Sequence, residues 1–350
     1  MAVTKIIGID FVPGLARAVA VQGTAAKHSV LKAGTIPLPI HEESPEGFEP
    51  MEAAAALRDW MREEALRGFS AAISYQERKS ILRLLSMPVM EADELHSTIR
   101  FEFDQVMEES IDEYSIDSCV LSKGPSDEGE RMKVLVAIVP KSSIYPYVEA
   151  IEAAKMTIVR ANLPVLANLS AVSRTRPETF ESNCILVHLE VIGGDILIFD
   201  GGQLAFVRRV SLGAHELKYA LAGLVEAKPP EEVDSIGGYK QDDYRLPEGF
   251  DAMGRPLVDM VNAEVERTIS FYKSQRQSPE YSYENMVICG NGVWPRNLPD
   301  LTDRLLPRKV LYADPLGWSK ERSALKLGAE EELNIHQFGT PLGLALDCLS

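Results

Sequence analysis

The chain has 350 residues, 45% hydrophobic and 25% charged, a globular composition with enough length for two separately cored domains. Lys plus Arg is 36 against 52 Asp plus Glu, a formal charge of −16, which repels phosphate backbones and anionic headgroups and argues against nucleic acid or direct membrane-surface binding. No apolar run approaches the roughly 18 residues of a spanning helix and residues 1–5 lead into a strand-like segment, so a cytoplasmic protein is expected. Cys119, Cys184, Cys289 and Cys348 lack C-x-x-C spacing and the six histidines are dispersed, which predicts reduced thiols and no zinc site.

Residues 4–11, 15–21 and 29–36 read as a three-strand meander, residues 51–67 as a helix and residues 71–74 as a fourth strand. Residues 81–155 then read as a compact β-α-β-β-α unit, with the polar stretch S-K-G-P-S-D-E-G-E-R as a long, mobile hairpin loop. From Cys184 the first order recurs: strands at 184–191, 196–199 and 204–210, and an amphipathic helix at 216–225. Val261, Val265, Ile269 and Tyr272 mark one face of a long helix. Residues 286–289 form a buried strand ending in Gly290-Asn291-Gly292, where backbone N–H groups can approach a ligand without an intervening Cβ. Such a turn standing alone is more often a plain strand-to-helix connection.

Three stretches carry a resemblance: S-M-P-V-M-E-A-D-E-L-H-S-T-I-R-F-E-F-D-Q-V, E-V-E-R-T-I-S-F-Y with V-I-C-G-N-G-V-W-P-R-N-L, and the closing G-T-P-L-G-L-A-L. In this order they resemble the actin-like superfamily and, within it, the PilM proteins of type IV pilus assembly, related to the cell-division protein FtsA. The resemblance implies an α/β actin-like fold of two ribonuclease-H-like halves. The first would be residues 1–80, closed by 156–180 and 340–350, the second residues 181–339, and residues 81–155 the inserted subdomain. It also implies a groove beside the insertion that holds the cytoplasmic N-terminal tail of a PilN-like inner-membrane protein. Leu82 and Leu84 on the strand, with Ile99 and Phe103 four apart on the helix, are the candidate pockets; the same residues could equally be the insertion's core. Membrane association would come only through partners, and self-association stays open.

An actin-like ATPase holds its phosphates with two hairpins, each carrying an acid followed by glycine and small hydroxyls, and organises Mg²⁺ through acidic side chains. The first hairpin keeps Asp10 and Gly14 but has Val12 at the glycine position, and Pro13 cannot donate an N–H. Counting back without gaps from F-D-G-G puts the second acidic position on His188-Leu189-Glu190, and shifting the register to Glu190-Val191-Ile192 still provides no glycine beside the acid; Gly193 and Gly194 are left to make a turn, and the Ser/Thr hydroxyls are missing. Asn162 stands where the pattern has an aspartate and Asp234 where it has a ribose-side lysine, while Gly290, Asn291 and Gly292 suit an adenine. The expectation is a degenerate cleft with no cofactor and no hydrolysis, ATP with Mg²⁺ being the alternative. A sugar-kinase reading needs a base facing the γ-phosphate, which the sequence does not supply.

Overall fold

The computed structural model describes residues 4–12, 14–39, 49–75, 79–107, 109–126, 129–190, 193–213, 251–276, 280–290, 309–319, 325, 327 and 335–349. The predicted meander is β1 (Lys5–Val12), β2 (Leu15–Gly23) and β3 (His28–Pro37). Pro50, whose missing N–H costs nothing in a first helical turn, opens α1 (Pro50–Glu63), which returns the chain to β4 (Ser70–Tyr75). The chain then leaves through β5 (Ile81–Pro88), α2 (Ala92–Asp104), β6 (Tyr114–Ser126), β7 (Gly129–Pro140) and α3 (Lys141–Ala153), and rejoins the first sheet at β8 (Ile158–Ala161). After α4 (Pro164–Thr175) come β9 (Cys184–Leu189), β10 (Gly194–Asp200), β11 (Gln203–Val210), α5 (Asp251–Arg276), β12 (Asn285–Cys289), β13 (Lys309–Tyr312) and α6 (Gly339–Asp347).

The first sheet is ordered β3-β2-β1-β4-β8 and another β11-β10-β9-β12-β13. Position for position the orders coincide, and so do the directions: an antiparallel meander followed by parallel β1–β4–β8 or β9–β12–β13. The two halves are therefore one architecture used twice, as the resemblance implies. The helix expected at 216–225 lies outside the described residues.

Both faces of the first sheet are buried. Ile7, Ile9 and Phe11 meet Ala53, Ala54 and Leu57 of α1 and Tyr147, Ala150 and Ile151 of α3. Ile6, Val19 and Val21 meet Leu342, Leu344 and Ala345 of α6. α3 thus belongs by packing to the first half, although it closes the inserted stretch in sequence. Its Tyr147 ring lies 4.6 Å from that of Tyr75 and 5.1 Å from that of Phe11. The insertion proper is the sheet β5-β7-β6 with α2 on one face, cored by Leu95, Ile99, Phe103, Met132, Val134 and Val136.

The expected long loop between β6 and β7 is corrected: the strands remain paired out to Ser126↔Gly129. Beyond Met132 no side chain of the hairpin arm is buried among the described residues, so its polar residues reflect solvent on both faces of a strand and not an absence of pairing.

Candidate functional site

The carboxyl ends of the parallel strands are where an open α/β sheet binds ligands, and each half places a row of polar side chains there. In the first half the register aligns Thr35, Arg17, Asp10 and Ser74 across β3, β2, β1 and β4. In the second half it aligns Arg209, Asp195, His188 and Cys289 across β11, β10, β9 and β12. Superimposing the two orders makes His188 the counterpart of Asp10, the position reached by counting back along the sequence.

Asp10 is fully buried and its Oδ1 accepts the Ser74 hydroxyl. The hairpin beside it is closed tightly: β1 and β2 pair to Val12↔Leu15, and Gly14 (φ 77°) takes the left-handed turn position. The Gly14 carbonyl accepts the Leu38 N–H at 3.0 Å. Gly14 is thus accounted for by the turn.

In the second half His188 is 1% and Glu190 5% exposed, with Nε2 2.8 Å from Glu190 Oε1. Asn168 Nδ2 lies within hydrogen-bond distance of the same nitrogen, at 3.2 Å, and also donates to Thr340 Oγ1 at the start of α6. Asp195 is buried and its carboxyl is raised above the usual carboxylate range by desolvation, an effect partly offset by Arg209 and His188. Arg209 donates to the Ser80 hydroxyl at the entry to the insertion. A buried polar chain therefore runs from Ser80 through Arg209, Asp195 and His188 to Asn168 and Thr340, joining the second half to the insertion and to α4 and α6. The sequence reading missed Asn168, Thr340 and Ser80; a lone Asn or Thr within an apolar helix was the available signal.

The glycines serve backbone packing. A Cβ on Gly193 (φ 72°) would come 3.0 Å from the Val210 carbonyl oxygen, and one on Gly194 would collide with that of His188. Gly290 has φ 113° and lies against the Leu189 backbone, which explains a glycine there without a ligand. Asn291, Gly292 and Asp234 lie outside the described residues. Asn162, at the expected aspartate position, accepts the Leu163 N–H at 2.9 Å and so settles the entry to α4. Among the described residues no cluster of His, Cys, Asp and Glu is arranged to hold a metal ion. Burial pushes the Cys184 thiol up to about 12, and raises that of Cys289 well above the usual thiol value with help from Glu190 and Asp195, leaving both thiols unreactive.

The tail-binding candidates separate. Ile99 and Phe103, expected to offer pockets to an incoming tail, are 0% and 5% exposed beneath the insertion's sheet; their helix face is committed to that core. Leu82, also buried, packs with Leu163, Val165 and Val207 where the insertion meets the second half. Leu84 is half-buried at the margin of the same cluster.

His336 flanks the first row. Burial, with Arg17 adding to it, lowers its imidazole from 6.5 to about 4. The unfolded chain therefore binds the extra proton between those values, and stability falls as pH drops through that window, by about 3 kcal/mol in total. Thermal unfolding from pH 7 to pH 4 is expected to show this loss, and His336→Asn to reduce it.

Residues 8–347 match the family model described as "Type IV pilus assembly protein PilM". A solved "PilM-PilN type IV pilus biogenesis complex" aligns with a TM-score of 0.74 at 20% identity, covering 99% of this chain and 98% of that one. EutJ, an ethanolamine utilization protein from Carboxydothermus hydrogenoformans, aligns at a TM-score of 0.45 and 13% identity over 97% of this chain and 88% of that one. The cytoplasmic domain of EpsL, from the type II secretion system of Vibrio cholerae, aligns at 0.41 and 12% over 82% of each. No curated protein matches the chain.

Proposed function

The chain belongs to the PilM family of type IV pilus assembly proteins, and from that premise we propose that it is a static scaffold which holds the cytoplasmic tail of a PilN-like inner-membrane protein. Its cleft neither hydrolyses ATP nor binds it tightly. The observation carrying this reading is His188, the counterpart of Asp10, with Nε2 2.8 Å from the carboxyl of a buried Glu190. A triphosphate would meet Glu190 and Asp195 in a partly desolvated site, where like charges repel strongly. Gly193, Gly194 and Gly290, which could have cradled it, lie against backbone atoms.

No described helix is long and apolar enough to cross a membrane. In this reading the protein sits at the cytoplasmic face of the inner membrane through its partner, and Leu84, at the margin where the insertion meets the second half, contacts the tail. Calorimetric titration with ATP and Mg²⁺, with thermal unfolding beside it, is expected to give neither heat nor shift. Saturation at 100 times a measurable Kd would stabilise the fold by about 2.7 kcal/mol and would replace the static scaffold with a nucleotide-responsive component. A synthetic peptide of the partner's tail is expected to bind the wild type and to lose about tenfold in affinity, or ~1.4 kcal/mol, with Leu84→Ser. Unchanged affinity would remove Leu84 from the contact surface.

A further inference from the structure

A cavity of about 510 Å³ opens at the other end of the first sheet, lined by Lys5, Gln22, Lys32, Glu64, Arg67 and Phe69 among others. It exists because the strands outrun the helix that covers them. α1 ends at Glu63, while β1, β2 and β3 continue beyond it, and the positions it would have covered are Lys5, Gln22 and Lys32. Lys5 and Gln22 are cross-strand partners, and Lys32 follows a β-bulge: the register jumps from Ala20↔Lys32 to Val21↔Val30, leaving Leu31 as the extra residue. Bulges re-aim side chains at sheet edges; here Leu31 is 44% exposed at the cavity rim. The opposite wall is the turn after α1, where Ala65 is held at φ 55°, a conformation that disfavours a non-glycine residue. Leu66 and Phe69 form an apolar floor, 8% and 9% exposed.

The charge in this cavity runs against the rest of the molecule. Lys32 is paired with Glu64 at 2.7 Å, which neutralises the cavity's one carboxylate. Lys5 Nζ lies 5.6 Å over the Phe69 ring, and neither Lys5 nor Arg67 has a carboxylate partner among the described residues. The closing turn also quiets the negative helix end, because the N–H groups of Glu64, Ala65 and Leu66 cap the carbonyls of Trp60, Arg62 and Met61. Two uncompensated cations thus stand over an apolar floor in a protein of formal charge −16. The volume falls within the range of small-ligand sites, roughly 300–1,000 Å³.

We propose that this cavity binds an organic anion whose phosphate or carboxylate group lies between Lys5 and Arg67 and whose apolar part rests on Phe69 and Leu31. The same chemistry is offered by a soluble alkyl anion and by an anionic lipid headgroup with its first methylenes. Both aliphatic stems and charged heads are used, since Lys and Arg cover apolar surface with the one and reach the ligand with the other.

The test uses the full chain. Titration with hexyl phosphate is expected to saturate in the millimolar range or below, with inorganic phosphate at least tenfold weaker because it lacks the apolar part. Lys5→Glu/Arg67→Glu, two changes at solvent-accessible positions, should abolish hexyl phosphate binding, and Leu31→Ser should reduce it towards the level of inorganic phosphate. Melting temperatures within a few degrees of wild type confirm that the variants are folded. Flotation with phosphatidylglycerol vesicles, lost in the double variant and absent with phosphatidylcholine vesicles, identifies a lipid source; hexyl phosphate binding without flotation identifies a soluble ligand. No saturation by hexyl phosphate at 10 mM, or equal binding by the double variant, overturns the proposal.

Discussion

Gly343→Ala is expected to abolish or severely destabilise the fold, by about 3 kcal/mol or more. A Cβ at that position would land inside the contact distance of the Ala167 carbonyl oxygen on α4, and one at Gly8 would land on the Pro341 carbonyl oxygen. α6 is therefore clamped between β1 on one side and α4 on the other, with backbone against backbone at both contacts. The atoms in the way are main chain, so no rotamer change relieves the collision. Thermal unfolding of Gly8→Ala and Gly343→Ala should give large, similar losses, because both open the same layer. Gly124→Ala, where an added Cβ would meet nothing within 4 Å, serves as the control and should change little. A near-wild-type Gly343→Ala would mean that α6 can slide, and that the first half is less tightly closed than described.

The second large effect is expected at the His188–Glu190 pair. His188→Leu removes the imidazole that stands 2.8 Å from a carboxylate that is 5% exposed, a loss of about 3 kcal/mol in a buried pair. His188→Leu/Glu190→Leu removes both members and should recover much of that, because an apolar pair of similar volume no longer carries the desolvation cost. The coupling read from this double-mutant cycle, followed by chemical denaturation, measures how far the pair holds the cleft. Additive losses would show that the two side chains do not act together. In that event the cleft would no longer be held by its own charged groups, and the argument that they stand where phosphates would sit would weaken.

How much was legible in the sequence follows from what kind of information each feature needs. The two meanders could be read because apolar strands between tight Gly-containing turns are local patterns, and the equivalence of Asp10 and His188 followed from counting along two such patterns. The β6–β7 arm could not, since Ser122 to Arg131 is composed like a loop and stays paired as strand only because a second strand runs alongside it. Period alone placed Ile99 and Phe103 on a common helix face, but which way that face points depends on the sheet beneath it. The membership of α3 in the first half was illegible for the same reason: Tyr147 and Ile151 are apolar whichever body they join. The glycines at 8 and 343 are the extreme case, each explained only by a carbonyl far away in the chain.

The position of α6 also shapes how the protein comes into being. Its residues pack on β1 and α4, with every side chain from Gly339 to Leu346 buried, yet Gly339 is synthesised about 260 residues after β4 is complete. At ribosomal rates of roughly 5–20 residues per second, the first four strands of the first sheet wait on the order of 10–50 s with one face uncovered by α6. During translation the nascent chain therefore carries an apolar groove fitted to a helix that has not yet been made. Whatever shields that groove in the interval, chaperone or transient self-contact, must leave again before α6 can dock, so native structure in the first half is completed after translation of α6 and not in the order in which its strands emerge.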